Sequence, residues 1–376
     1  MRYYIIAGEA SGDLHGANLM KALLSADPHA EIRYWGGDAM QAVTGTPVRH
    51  IRELAIMGFV EVVAHLPQVL GNIRFCKQDI LAFHPDALVT IDYPGFNLKM
   101  AKFAHDRGIK TIHYISPQLW AWKKGRIRGM RKNLDKLCYI LPFEQDFYRD
   151  NHFPQAVYVG HPLLDAVRNY HPTDTNTPSP KPTIALLPGS RRQEISRVLP
   201  YMLRLAERHP EYQYAVAGMT LLGEDFYRAI IDREDNGRGT LTQMRIVYNQ
   251  TYTLLSEAYA AVVCSGTATL ETALFNVPQV VGYRANALSI AIARPLIRNR
   301  IKYISLVNLI ADAPIVTELI QDDLNDERLE KEFRKITADS QSRQQMLEGY
   351  ARIHALLGND GASARTAEEI IKTLNT

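Results

Sequence analysis

Acids, hydroxyl residues and arginines in this chain gather where short apolar runs end. The run 2–7 is followed by Gly8-Glu9-Ala10-Ser11-Gly12-Asp13, and the run 86–92 leads into Asp92-Tyr93-Pro94-Gly95-Phe96-Asn97. A carboxylate at such a place can take a proton from a substrate hydroxyl, an effect of roughly 10²–10⁴ in rate. The competing structural readings are local. Ser11 or Asp13 can cap the helix that follows, and Asp92 can form a turn before Pro94. Capping does not account for Glu9. A dinucleotide fingerprint would need glycines at 8, 10 and 13; Ala10 and Asp13 break it, so NAD chemistry is disfavoured.

Two further turns have a different chemistry. Leu187-Pro188-Gly189-Ser190-Arg191-Arg192-Gln193-Glu194 lacks the Gly-Lys-Ser/Thr of a P-loop. Ser190, Arg191 and Arg192 at a strand-to-helix turn can still clamp a diphosphate, with a surface pair to Glu194 as the structural alternative. Ser265-Gly266-Thr267-Ala268-Thr269-Leu270-Glu271 opens a helix with small and hydroxyl residues. Its N-terminal amides, at Gly266, Thr267, Ala268 and Thr269, suit an anion. Glu271 can accept from two ribose hydroxyls, or act as a first-turn acid. Together the two turns read as a nucleotide-diphosphate site.

Two stretches read as surfaces. Trp120 and Trp122 adjoin seven cations between Lys123 and Lys136, Arg128 among them, against Asp135 alone. Interleaved aromatics and cations suit a phosphate-bearing ligand or an anionic lipid surface. A solvated helix face is the plain alternative, and nucleic acid is disfavoured by the near balance of 43 basic and 40 acidic residues. Residues 54–70 hold Glu61 but no Lys or Arg, with Met57, Phe59, Val62, Val63, Leu66 and Leu70 offering an apolar stripe. That stripe reads either as a core helix or as a lipid-facing hairpin near Pro67.

The elements that must position these residues alternate. Strands are expected at 2–7, 31–35, 86–92, 110–115, 136–141 and 156–160, with helices at 12–25, 68–83, 97–107 and 144–151 between them. The pattern restarts with strands at 183–188, 213–217, 244–248, 260–264 and 278–283 and helices at 191–209, 251–258, 267–275 and 287–298. Continuous apolar runs such as Ala87-Leu88-Val89 mark buried parallel strands. The alternation predicts doubly wound α/β sheets. Residues 171–182, with four prolines, read as a linker. Ligands of such sheets sit past the carboxyl ends of the strands. At 376 residues the chain can build large cores, and three scattered cysteines argue against both a disulfide framework and a zinc site. The opening run Tyr3–Ala7 is too short for a signal peptide, and no window approaches 18 uninterrupted apolar residues.

These motifs, with Ser116-Pro117-Gln118-Leu119-Trp120-Ala121-Trp122 and Val307-Asn308-Leu309-Ile310, resemble the lipid-A-disaccharide synthase family in order and spacing over nearly the whole chain. The resemblance implies a GT-B fold: two Rossmann-like doubly wound domains facing across a cleft, with a C-terminal helix (about 350–376) returning to the first domain (1–170), and a UDP-sugar domain over 183–349. It implies transfer of 2,3-diacylglucosamine from UDP to the 6-hydroxyl of 2,3-diacylglucosamine 1-phosphate (lipid X), with inversion and without metal or other cofactor. It assigns Asp92 as base with Glu9 as competitor, Arg191 and the 266–269 amides to the diphosphate, Glu271 to ribose, and Asn308 to orienting donor or acceptor. Ser11, Asp13, Trp120, Lys123 and Arg128 would line the acceptor side, and residues 54–70 would meet acyl chains. Where many members carry a second acid, this chain has Gly95. A cytoplasmic protein at the inner-membrane surface of a Gram-negative bacterium is implied, and a homodimer is compatible with it. Rival readings are another GT-B enzyme of UDP-sugars, such as a polyprenyl-linked glycosyltransferase or a UDP-GlcNAc 2-epimerase, and a non-catalytic anionic-lipid-binding surface protein.

Overall fold

The computed structural model describes all residues except 55–65, 121–123, 172–180, 243, 286–301 and 339–340. The chain forms two compact units, Met1–Asp165 with Asn359–Thr376, and Ala166–Gly358. The proline-rich stretch read as a linker falls largely on 172–180, and the helix expected at 287–298 falls on 286–301. Both lie outside the described residues.

The first unit carries β1 (Arg2–Ala7), β2 (Glu31–Gly36), β3 (Arg49–His50), β4 (Ala87–Ile91), β5 (Lys110–Tyr114), β6 (Lys136–Tyr139) and β7 (Ala156–Tyr158). They form one sheet in the order β3-β2-β1-β4-β5-β6-β7, with every pair parallel. Tyr3 to Ala7 and Ala87 to Ile91 are buried without interruption, as strands covered on both faces must be. One face packs Tyr4, Ile6, Trp35, Leu88, Phe96 and Met100 into a core. There Trp35 Nε1 donates to the Tyr4 hydroxyl at 2.8 Å, and that hydroxyl donates to Asp79 at 2.6 Å.

The second unit repeats the plan with β8 (Thr183–Leu187), β9 (Gln213–Gly218), β10 (Arg245–Tyr248), β11 (Ala258–Cys264), β12 (Gln279–Tyr283) and β13 (Thr317–Ile320). Their order is β10-β9-β8-β11-β12-β13, again parallel. β3 and β13, both short edge strands, are elements that the apolar pattern did not announce.

Each sheet has one point where the winding direction reverses: between β1 and β4 in the first, and between β8 and β11 in the second. Neighbouring helices leave those two strand ends on opposite faces, which opens a crevice there. All four chemistry-bearing turns follow these four strands.

The first unit is closed by its C-terminal segment. Both oxygens of buried Asp165 cap the helix Ala362–Leu374, accepting from the amides of Gly361 (2.5 Å), Ala362 (3.2 Å) and Ser363 (3.0 Å). Arg365 donates to the Val159 carbonyl at 2.8 Å, and Lys136 pairs with Glu369 at 2.8 Å. The return begins at Asn359, while the helix Gln341–Leu357 belongs to the second unit. Among the described residues no helix is long and apolar enough to cross a membrane, and no group of three or more His, Cys, Asp and Glu side chains is placed to hold a metal ion.

Candidate active site

The reversal point of the first sheet sets the turns that carry Glu9 and Asp92 beside one another. Ala7 and Ile91 are register partners, so the two turns leave adjacent strands side by side. The approach depends on Gly8: a Cβ there would lie 2.4 Å from the Tyr93 ring. Asp92 and Tyr93 both adopt left-handed backbone, at φ 44° and 47°. That conformation is uncommon for any residue with a Cβ, and tolerable for aspartate but costly for tyrosine. Asn97 holds it in place. Its fully buried amide lies within donor reach of the carbonyls of Asp92 (2.7 Å), Ile91 (3.0 Å) and Ile6 (3.5 Å), which stitches the β1 and β4 ends to one helix. Glu9 and Asp92 remain partly exposed, and Ser11 is exposed. Burial, helped by the nearby Glu9 carboxylate, raises the Tyr93 hydroxyl above its usual range.

Asp13 departs from its expected role. It is 6% exposed, and its carboxylate accepts three backbone amides: Gly37 at 2.6 Å, Ala39 at 2.9 Å and Met40 at 3.1 Å. Those amides open the short helix Asp38–Gln41, so Asp13 anchors that helix.

Trp120 is half-buried and meets Phe143 edge-on at 5.1 Å between ring centroids, past the ends of β5 and β6. Its Nε1 has no acceptor among the described residues. The basic run forms the helix Arg126–Asn133 with Arg128, Arg131 and Lys132 exposed, while Lys136 is drawn off into its pair with Glu369. Lys123 lies outside the described residues, as do Met57, Phe59, Val62 and Val63. Leu66 opens the helix Leu66–Phe83, and Leu70 within it is 55% exposed.

In the second unit Leu187 and Val263 are register partners, so the turns after β8 and β11 are also neighbours. Gly189, at φ 112°, sits where a Cβ would touch Glu194 Oε2 at 3.1 Å and Cys264 Sγ at 3.4 Å. Ser190, Arg191 and Arg192 are exposed. Arg191 pairs with Glu194 at 3.1 Å, the alternative set against the diphosphate role, and Arg192 lies over the Phe226 ring at 4.3 Å. After β11, Gly266 takes φ 155° and ψ −161°, a region essentially restricted to glycine. Buried Thr269 spends its amide (3.2 Å) and hydroxyl (2.8 Å) on the Gly266 carbonyl. It therefore locks the turn and does not offer its hydroxyl to a ligand. The amides of Thr267 and Ala268 begin the helix Thr267–Leu274, where no intrahelical acceptor exists. Glu271 accepts from the Tyr252 hydroxyl at 3.0 Å, and burial raises its carboxyl above the ordinary range although that bond opposes the shift. Tyr252, Phe275 and Tyr170 pack as an aromatic cluster beside it.

Asn308 also departs from expectation. It is 1% exposed and its amide is fully engaged: Nδ2 donates to the Val316 carbonyl and to Glu318 Oε1, both at 2.9 Å, and Oδ1 accepts from the Val316 amide at 2.9 Å. It ties the helix Leu306–Ala311 to the start of β13. Sequence reasoning passed over Asn97 and Tyr252 as working residues, although Asn97 ended a quoted motif. Glu318 had no signal, because β13 itself was not foreseen.

Two parallel α/β units, each presenting polar turns at the reversal of its sheet, define the GT-B class of architecture. Solved structures agree over nearly the full length. UDP-GlcNAc 2-epimerase from Neisseria meningitidis bound to UDP-GlcNAc matches with a TM-score of 0.66 at 12% identity, covering 100% of each chain. The S. aureus MnaA–UDP co-structure gives 0.69 at 13%, covering 100% of this chain and 97% of that one. At such identities the likeness speaks for the fold alone. The family-level match lies in sequence: the model of lipid-A-disaccharide synthetase matches residues 3–371. Lipid-A-disaccharide synthases of Syntrophus aciditrophicus and Alcanivorax borkumensis are 37% and 34% identical, covering 96% and 98% of this chain and 95% and 97% of their own. The chain belongs to the lipid-A-disaccharide synthase family, and it is a glycosyltransferase of lipid A biosynthesis. The epimerase and scaffold readings are not favoured.

Proposed function

We propose that the chain transfers 2,3-diacylglucosamine from its UDP-activated form to the 6-hydroxyl of 2,3-diacylglucosamine 1-phosphate. In one displacement the acceptor oxygen forms a bond to the donor's C1 while the C1–O bond to UDP breaks. The acceptor proton passes to a carboxylate and the electron pair leaves with UDP, so an α-linked donor yields a β-1,6-linked disaccharide 1-phosphate. No metal or other cofactor enters the scheme.

Asp92 takes the proton, with Glu9 beside it as the alternative base. A positioned carboxylate supplies roughly 10²–10⁴ of the rate. Arg191 and the amides of Gly266, Thr267 and Ala268 receive the charge that grows on the diphosphate. Arg191 shares its guanidinium between Glu194 and phosphate, and Ser190 and Arg192 flank it. Glu271, aligned by Tyr252, accepts from the ribose hydroxyls. Ser11, Trp120, Lys123 and Arg128 serve the acceptor side and its phosphate, and the 54–70 stretch meets acyl chains at the cytoplasmic face of the inner membrane. The observation that carries this reading is that all four polar turns fall at the two sheet reversals, with acids at one and phosphate-suited turns at the other.

The test is to incubate the purified chain with both lipids in detergent micelles containing EDTA, following UDP and disaccharide by mass spectrometry. The expected result is stoichiometric disaccharide and UDP. Release of UDP without disaccharide, or no product in EDTA, contradicts the scheme.

A further inference from the structure

The carboxylate of Glu318 on β13 accepts four hydrogen bonds, all from one short stretch of chain. Oε2 takes the Ile304 amide at 2.9 Å, and Oε1 takes the Ser305 amide at 2.9 Å, the Ser305 hydroxyl at 2.7 Å and Asn308 Nδ2 at 2.9 Å. Asn308 closes the arrangement through its paired bonds to the Val316 backbone, two residues before Glu318. The stretch so held, residues 304–308, reaches the nucleotide turn directly: the Ser265 hydroxyl donates to the Ile304 carbonyl at 3.0 Å. Ser265 immediately precedes Gly266, whose unusual backbone sets the direction of the Thr267 and Ala268 amides.

We infer that Glu318 is a positioning residue for the UDP site, acting through Ile304 and Ser265 on the turn that presents the Gly266–Ala268 amides. The inference rests on the reading that this turn holds the diphosphate. The geometry explains why a carboxylate is needed. Four donors converge on two oxygens, and an ionised carboxylate offers about four acceptor sites and no donor. A glutamine would turn an N–H toward either the Ile304 amide or the Ser305–Asn308 group, where only acceptors are useful. The 304–308 stretch would shift to relieve the conflict, and the Ile304 carbonyl would move off Ser265. A displacement on the order of 1 Å is enough to degrade a preorganised anion site. Asn308, expected to touch substrate, takes its place in the same brace.

The experiment compares wild type, Glu318→Gln, Ser265→Ala and the double variant of the full chain, reading UDP affinity by calorimetry beside each melting temperature. Glu318→Gln is expected to weaken UDP binding about tenfold while the acceptor KM stays within about twofold, since only the donor turn moves. Ser265→Ala is expected to weaken UDP similarly, and the double variant to lose no more than the worse single one, because both act through one link. UDP affinity equal to wild type in Glu318→Gln, or losses that simply add, overturns the inference. If Glu318→Gln does not fold, Ser265→Ala decides alone, because it removes one hydroxyl: unchanged UDP affinity there overturns the inference. A wild-type chain that binds no UDP overturns the diphosphate reading and this inference together. A wild type that binds UDP, with variants that bind it equally well, overturns only the positioning role.

Discussion

Asp92 adopts φ 44° at the β4 end, one of the few backbone conformations that aspartate and asparagine accept and most side chains do not. Asp92→Asn therefore keeps the turn and removes the carboxylate's charge together with its capacity to take a proton. Turnover is expected to fall at least about a hundredfold while UDP affinity stays at the wild-type level. A near-normal rate in that variant would pass the base role to Glu9. Asp13 and Asp92 looked alike in the sequence, each an acid shortly after a strand. What separated them was the donors around them: three amides from the β2–helix junction converge on Asp13, and those amides come from residues 24 to 27 positions away. The same holds for Asn308, whose partners are Glu318, on an edge strand without a strong apolar signature, and Val316 just before that strand. Residue type announced chemistry, and long-range backbone partners decided whether the side chain was available for it.

The elements that carry the site were the legible ones. β1, β4, β8 and β11 are continuous apolar runs with small or polar turns after them, and they are the strands that flank the two reversals. Their order in the sheet was not legible, since parallel crossovers leave no local mark on the sequence. Helix starts were shifted. The helix after β4 begins at Pro94, three residues before the expected start, because proline's fixed φ suits a first helical turn. The C-terminal helix is capped from 196 residues away by Asp165, a bond no local pattern could reveal. Asp165→Ala leaves three amides at that helix start without their acceptor. A loss of about 1–2 kcal/mol is expected. Hydrogen exchange across residues 362–374 should accelerate about tenfold. Unchanged exchange there would show that packing alone holds the helix.

For the whole molecule, composition excluded a polyelectrolyte binder, and six motifs in register pointed to the family that full-length similarity now establishes. Buried titratable groups of the first unit add a consequence for stability. Burial lowers His15 and His113 to about 4 and His161 to about 3, with His15 also opposing charge on His161 and Asp165 partly offsetting the shift at His15. These histidines fold neutral. Their unfolded forms take up protons below about 6.5, so stability falls as pH drops through that value. Burial raises Glu144 to about 8, only partly opposed by the Leu141 amide, so it folds protonated. Its contribution is fully present below an unfolded value of about 4.3 and is lost as pH climbs through 8. Within the first unit three histidines outweigh one acid between about pH 4.5 and 6.5, and above that the acid dominates. In the second unit burial lowers His354 and raises Glu271, which act in the same two directions. Melting temperature is therefore expected to peak near pH 6.5, and Glu144→Gln to flatten its decline toward pH 8. A melting temperature that keeps rising to pH 8 in the wild type would contradict these assignments.

The central claim is a single displacement at the donor's anomeric carbon, with an acid of the first unit as base and turns of the second holding UDP. The most direct test is the configuration of the new glycosidic bond, read from the H1–H2 proton coupling of the disaccharide made by the purified chain in EDTA. The account predicts the large coupling of a β-linked glucosamine formed from the α-linked donor. The small coupling of an α-linked product would mean retention, and would contradict the single displacement and the role of Asp92 with it.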